Sequence, residues 1–438
     1  MDDVVTVQPW LDDDRWRDGR ARSSALAELF PWWFATVCAA GILAPLLFTG
    51  FEPVTKEGPL ATGAVGLLGL AAGWLFVQAI RATLAWRRFG RLEIVLDPFP
   101  GSIGGQMGGA IDVALPRLEA RRARIILSCV EVKVTEHGKN RSRSESVIWS
   151  QEQHPVVEPG PRGVRLRFTF DVPDGVPQTQ PRSAHHHLWT VRVMASVPGL
   201  DLDRAIEVPV YRTDTPLEAA TAAPQSPTHA PTSAATDGAV GPGVTVNRTS
   251  DGLAIAYAAK RARAAAMMVL LFGIVFGGFA LGMLAAGSRY LTADGLMPGL
   301  AWPMLVLFVA IFGGIGLLLS MTGLWMLGNS LRVQMGAHTF TTVRRFLGVP
   351  CKRRTIPIAD VARIDLVING QTGQGAKAEV SYRMDGVLHA GGTVRLGDGI
   401  RGTPVAERIA ALVEQATGLS PKIVVRESLR KRRERSAA

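Results

Sequence analysis

Polar and apolar positions along this chain follow two regimes. Four stretches, residues 31–51, 60–80, 264–287 and 300–326, contain no Asp, Glu, Lys or Arg. They fall into two pairs, and each pair is followed by a segment whose short apolar runs are cut by Pro and Gly. Hydrocarbon offers no partner to backbone polar groups, so a crossing helix needs about 20 apolar residues. All four stretches reach that length. The pattern predicts two transmembrane hairpins, at 31–82 and 264–327.

In residues 90–212 the period shortens to two. Runs at 91–96, 110–115, 124–135, 164–170, 189–196 and 205–211 read as strands, with Ile126, Ser128, Val130, Val132 and Val134 assigned to one face. The run contains no convincing helix, which predicts an antiparallel β-sandwich with its own core. Residues 213–242, rich in Pro, Ala, Thr and Ser, bury too little to offset chain entropy and are predicted to be a disordered linker. Two strands at 243–258 then lead into the third apolar stretch.

Past the fourth stretch, 328–420 has strand-like runs at 330–335, 338–344, 351–357, 361–367, 377–383 and 387–395. A helix follows, with Thr403 as its expected N-cap, Pro404 as its first residue and Gly418 as its stop. Val405, Ile409, Leu412, Val413 and Ala416 form its expected apolar stripe. The strands before the third stretch are expected to join those after the fourth, making the second hairpin an insertion in one domain. Residues 1–30 are expected to be a flexible N-terminal segment; Trp10, Trp16 and Arg17 also admit a reading as a segment on the membrane surface. Residues 421–438 are expected to be a basic tail.

Two resemblances follow from particular residues. Phe168-Thr-Phe-Asp-Val-Pro, Trp189-Thr-Val-Arg-Val, Pro198-Gly-Leu-Asp-Leu and Ile206-Glu-Val-Pro-Val resemble the later strands of an arrestin-like β-sandwich. That resemblance implies binding or scaffolding in place of catalysis. Arg354-Thr-Ile-Pro-Ile-Ala-Asp-Val-Ala-Arg-Ile, with the layout of strands closed by one helix, resembles a bacterial pleckstrin-homology-like domain over residues 243–418. Such domains bind lipids, peptides or each other. The expected class is therefore an α+β membrane protein of four transmembrane helices and two antiparallel β-rich cytoplasmic domains.

Charge sets the expected orientation. Arg15, Arg17, Arg20 and Arg22 precede the first stretch; Arg81, Arg87, Arg88 and Arg91 follow the second. Lys260, Arg261 and Arg263 precede the third, and Arg332, Arg344 and Arg345 follow the fourth. The short connections carry little, so positive charge inside places both termini and the soluble mass in the cytoplasm of a bacterial inner membrane. The 48 Lys and Arg exceed the 37 Asp and Glu, for a net charge of +11. Span flanks and the tail hold much of that excess, and no nucleic-acid recognition motif accompanies it. Anionic lipid head groups are the expected counter-surface, with Lys352, Arg353, Arg354, Arg430, Lys431, Arg432 and Arg433 as lipid-facing residues.

The apolar stretches contain no ionisable residue, which argues against a transport pathway. They contain glycines instead. Gly69, Gly73, Gly273 and Gly277 are expected to let helix backbones approach closely, within the chain or in a homo-oligomer. Cys38, Cys129 and Cys351 lie far apart and read as unpaired, reduced thiols. The glycine-rich run at 100–109 lacks the Lys-Ser/Thr and following helix of a phosphate loop, and reads as a connection between strands.

His185, His186 and His187 are the densest ligand cluster. In a strand, His185 and His187 share a face and His186 opposes them. With no carboxylate or cysteine at recognisable spacing, the cluster reads as a polar lead-in to the Trp189 strand, with metal binding through His185 and His187 as the alternative. His137 and His154 are further candidates by proximity in space. No hydrolase, metalloprotease, nucleotide-binding or kinase motif occurs. The expected function is a non-enzymatic membrane scaffold, without a cofactor, that recruits an unidentified cytoplasmic protein or anionic lipid. The alternative is a membrane-bound enzyme or metal-handling protein built on the histidines.

Overall fold

The structure is a computed structural model. It describes residues 9–11, 13–16, 18–23, 29–49, 59–137, 140–220, 238–249, 252–259, 263–291, 298–373 and 375–424. The chain divides into two compact units. The first comprises Met1–Ala230 with Gln371–Ala378, and the second Pro231–Gly370 with Glu379–Ala438.

In the first unit, helices Phe30–Thr49 and Pro59–Phe89 precede a β-sandwich. One sheet runs in the order Arg20–Arg22, Glu93–Leu96, Gln106–Val113, Gly163–Asp171, Val156–Gly160; the other is Leu202–Val208, His185–Ala195, Arg124–His137, Asn140–Gln153. Ile94, Ile111, Phe168 and Phe170 are buried in the first sheet, and Ile125, Leu127, Trp189 and Val191 in the second. The strand Asn140–Gln153 is absent from the expected set, because its polar run Asn-Arg-Ser-Arg-Ser-Glu-Ser shows no apolar alternation. Its register on Arg124–His137 slips by one residue between Cys129 and Val130. Ile148 is the extra residue of that bulge. Arg124–His137 is buried on both faces at its centre. Ser128, Val130 and Val132 are buried, but so are Ile125, Leu127 and Cys129 on the other face.

The described residues of the N-terminal segment are built into the sandwich. Arg20–Arg22 pairs antiparallel with Glu93–Leu96 at the edge of the first sheet. Trp16 is 2% exposed and its indole N–H donates to Glu207 O at 3.2 Å. The Trp10 ring lies 5.3 Å from that of Tyr211. A buried Trp contributes about 3–5 kcal/mol against its truncation, which fixes the segment to the sandwich in place of a membrane surface. Arg17 lies outside the described residues. The glycine-rich run is partly strand: Gly108 and Gly109 lie in Gln106–Val113. A Cβ on Gly108 would stand 2.7 Å from Phe168 O, so only glycine lets those backbones meet.

Both ends of the expected linker are built into structure. Gln106 N–H donates to Leu217 O at 2.8 Å, and Ala219 N–H to Gln106 Oε1 at 3.0 Å. Gly238–Gly241 forms a strand against Val244–Thr249. Backbone bonds, which composition does not reveal, hold these ends; residues 221–237 lie outside the description.

In the second unit a six-stranded antiparallel sheet follows chain order: Gly238–Gly241, Val244–Thr249, Gly252–Tyr257, Asn329–Gly336, Thr339–Phe346, Val349–Pro357. Its third and fourth strands pair directly, from Gly252↔Gly336 to Tyr257↔Leu331. Helices Arg263–Leu291 and Pro298–Gly328 are therefore inserted between two adjacent strands. Among the described residues, two segments are long and apolar enough to cross a membrane, Ala265–Leu284 and Trp302–Gly328. Only 11% and 6% of those apolar windows is buried, unlike the core helix of a soluble fold. In the first unit the described apolar stretch is shorter, Phe30–Ala44.

A second sheet orders Thr393–Arg401, Glu379–Leu388, Val361–Thr372, Lys422–Val424. The run expected at 387–395 is corrected: Gly391 and Gly392, at φ 85° and 89°, turn the chain between Glu379–Leu388 and Thr393–Arg401. The expected tail likewise begins with a strand, Lys422–Val424, parallel to Val361–Thr372. Helix Thr403–Thr417 packs on both sheets. Its N-cap is Gly402 and not Thr403, whose hydroxyl bonds the Tyr382 hydroxyl at 3.0 Å. Its buried residues are Thr403, Ala406, Ile409 and Val413, a stripe rotated from the expected one so that Ala416 is exposed.

Candidate functional site

Two places gather the residues singled out from the sequence. The first is the mouth of the sandwich. His185–Ala195 and Arg124–His137 are neighbours, with Glu131 opposite His187 and Lys133 opposite His185. Directly paired residues share a face, and so do residues two apart. Glu131, Lys133, His185 and His187 therefore stand together, one step beyond the buried Cys129–Trp189 pair on the same face. His185 Nε2 lies 2.9 Å from Glu131 Oε1, and Lys133 Nζ lies 2.9 Å from that same oxygen. Burial pushes the Glu131 carboxyl up, but hydrogen bonds from Lys133 and His185 outweigh it and leave the group below its ordinary value.

His187 is almost buried, and Gln180 orients it. Gln180 N–H donates to His187 O at 3.0 Å, which seats the segment along the strand. Gln180 Oε1 accepts the His187 backbone N–H at 3.1 Å and lies 3.0 Å from His187 Nδ1. An oxygen that accepts one N–H there can bond the ring nitrogen only as an acceptor. His187 Nδ1 therefore carries the proton, and in the neutral ring Nε2 carries the lone pair. His186 points to the other face, its Nδ1 2.7 Å from Ser183 O.

A carboxylate stands beside these histidines in space, although none lies at a recognisable ligand spacing in the sequence. Glu131, His185 and His187 each offer a ligand atom within 4.8 Å of the others. Glu131 precedes His185 by 54 residues, a distance in sequence that no spacing motif covers. His154 is elsewhere, its Nδ1 2.9 Å from Ala123 O. The side chain of His137 lies outside the description.

The second place is the hairpin of Thr339–Phe346 and Val349–Pro357, at the sheet edge. Lys352, Arg353 and Arg354 are exposed on the outermost strand; Arg344 pairs with Lys352 across it. The hairpin turns through Leu347 and Gly348, both at positive φ, 49° and 88°. Such two-residue turns favour Asn or Gly at the first position, yet Leu347 is 72% exposed there. Its N–H donates to Gly328 O at 3.0 Å, and the Phe346 ring stacks on Trp325 at 5.1 Å. The apolar tip therefore sits at the end of helix Pro298–Gly328. Arg430, Lys431, Arg432 and Arg433 lie outside the described residues.

Helix packing is uneven. A Cβ on Gly273 would stand 2.5 Å from Ser320 N, and one on Gly316 would stand 2.5 Å from Gly277 N. At Gly69 and Gly73 nothing among the described residues lies within 4 Å. Among the described residues, close backbone approach thus occurs in the second hairpin and not at Gly69 or Gly73. A cleft of about 540 Å³ in the first unit is lined in part by Trp32, Gln78, Arg81, Asp201, Asp203 and Arg204. Arg192 holds Asp203 there through two bonds of 2.7 Å.

No protein-family description matches the chain, and no curated protein does. Among solved structures, the crystal structure of Spo0M, a sporulation control protein from Bacillus subtilis, is similar at 13% identity, over 40% of this chain and 80% of that one, with a TM-score of 0.19. So loose a superposition carries no argument, and the sandwich rests on its own strand pairing.

Proposed function

We propose that the chain is a non-enzymatic scaffold of a bacterial inner membrane, held by four crossing helices with its β-rich units in the cytoplasm. On this reading the sandwich is an arrestin-like module that recruits a protein. The second unit is a pleckstrin-homology-like module whose edge hairpin contacts anionic lipid. The single observation that supports it best is the hairpin tip. An exposed Leu in a strained turn, beside a Trp at the end of an apolar helix, is costly in water and favoured at a bilayer interface. Arg344, Arg345, Lys352, Arg353 and Arg354 follow at head-group depth. At roughly 1 kcal/mol per basic residue near an anionic surface, removing three would cost up to about 3 kcal/mol.

The test is lipid retention. The full chain, purified from membranes in mild detergent, is expected to retain anionic over zwitterionic lipid several-fold. A Lys352→Ala, Arg353→Ala, Arg354→Ala variant is expected to lose that bias, and Leu347→Asn to weaken it while relieving the turn. Equal bias in wild type and triple variant would sink the lipid assignment.

A further inference from the structure

We infer that Glu131, His185 and His187 form a binding site for a divalent first-row cation, zinc above all. Two histidines at i and i+2 of one strand, facing a carboxylate on the next, present three ligands to one point without any helix or loop having to move. Imidazole and carboxylate suit zinc, which takes three such ligands and leaves a fourth position to water.

Three features point to a built site. His187 is held in the tautomer whose lone pair is on Nε2, because Gln180 Oε1 accepts a hydrogen bond from Nδ1–H. Gln180 is itself seated by its backbone bond to His187 O. Such an outer partner fixes the tautomer and ring of a metal-binding histidine. Next, His185 already approaches Glu131 at 2.9 Å. Third, the face beneath is the rigid Cys129–Trp189 pair, whose indole N–H donates to Pro177 O at 2.9 Å. Lys133 opposes the cation: its ammonium now occupies Glu131 Oε1. Its side chain is 49% exposed, so it can swing into water when metal replaces it.

The site lies in the sandwich and depends neither on the membrane nor on lipid, so its test and the lipid test fail separately. Untagged full-length protein in detergent is dialysed against zinc alone. One zinc per chain is expected, with affinity at least tenfold weaker in Glu131→Gln and His185→Ala. His185 is exposed and Glu131 half-buried. His186→Ala, on the opposite face, is expected to bind as wild type, and Lys133→Ala several-fold tighter. The near-UV signal of the adjacent Trp149 and Trp189 rings reports that each variant is folded. Absence of stoichiometric uptake overturns the site. So does uptake that survives Glu131→Gln and His185→Ala, or that falls equally in His186→Ala.

Discussion

Individual side chains in this protein draw their meaning from partners on neighbouring strands. Arg192 and Asp203 illustrate it in the sandwich, where two bonds of 2.7 Å join neighbouring strands. Burial raises the Asp203 carboxyl, but Arg192 outweighs it and the group titrates below its usual value of 3.8. A depressed folded value means stability that is present above the unfolded value and lost as pH falls through the folded one. Asp203→Asn is therefore expected to cost about 1 kcal/mol at neutral pH, allowing for solvent screening of a partly exposed carboxylate. The gap to wild type should close below pH 3.8. Thermal melts of both proteins across that range check it, and a gap that persisted in acid would contradict the assignment. The same scale explains why Glu131 was not legible as a ligand. Nothing in its local sequence marks it, since only strand register sets it opposite His187.

Elements were legible where a pattern was local. Helix Thr403–Thr417 ends as its Gly418 requires, at φ 72°. Its buried stripe was rotated because packing on two sheets, and not periodicity, chose the face. Asn140–Gln153 was invisible because its pairing, and not its apolar content, makes it a strand. Glycines in the apolar helices looked alike in sequence but differ in place. Gly273→Leu is expected to cost about 1–3 kcal/mol by forcing two backbones apart, whereas Gly69→Leu should change stability by less than about 0.5 kcal/mol. Detergent-resistance melts of the two variants decide this. A large loss at Gly69 would instead mark a contact with a second copy of the chain.

For the whole molecule the question is orientation. Cys351 is exposed on the basic hairpin, whereas Cys129 is buried. In a Cys38→Ala background, a membrane-impermeant maleimide is expected to label Cys351 in inverted inner-membrane vesicles and not in intact spheroplasts. Labelling in spheroplasts would place the hairpin outside and remove the basis for cytoplasmic modules.

The sequence by itself determined the apolar helices, the two-residue period of the sandwich and the basic character of residues 352–354. These are composition and periodicity, and they act within a few turns or strands of chain. Tertiary structure alone decided that Trp16 belongs to the sandwich and which residues pair where Gly252–Tyr257 meets Asn329–Gly336, whereas the insertion of the second hairpin between strands of one domain is already an expectation from the chain. Only the tertiary structure brought Glu131 to the histidines. Backbone pairing between distant segments carries no signature in either segment's side chains, so neither register nor the company a residue keeps can be read from the chain alone.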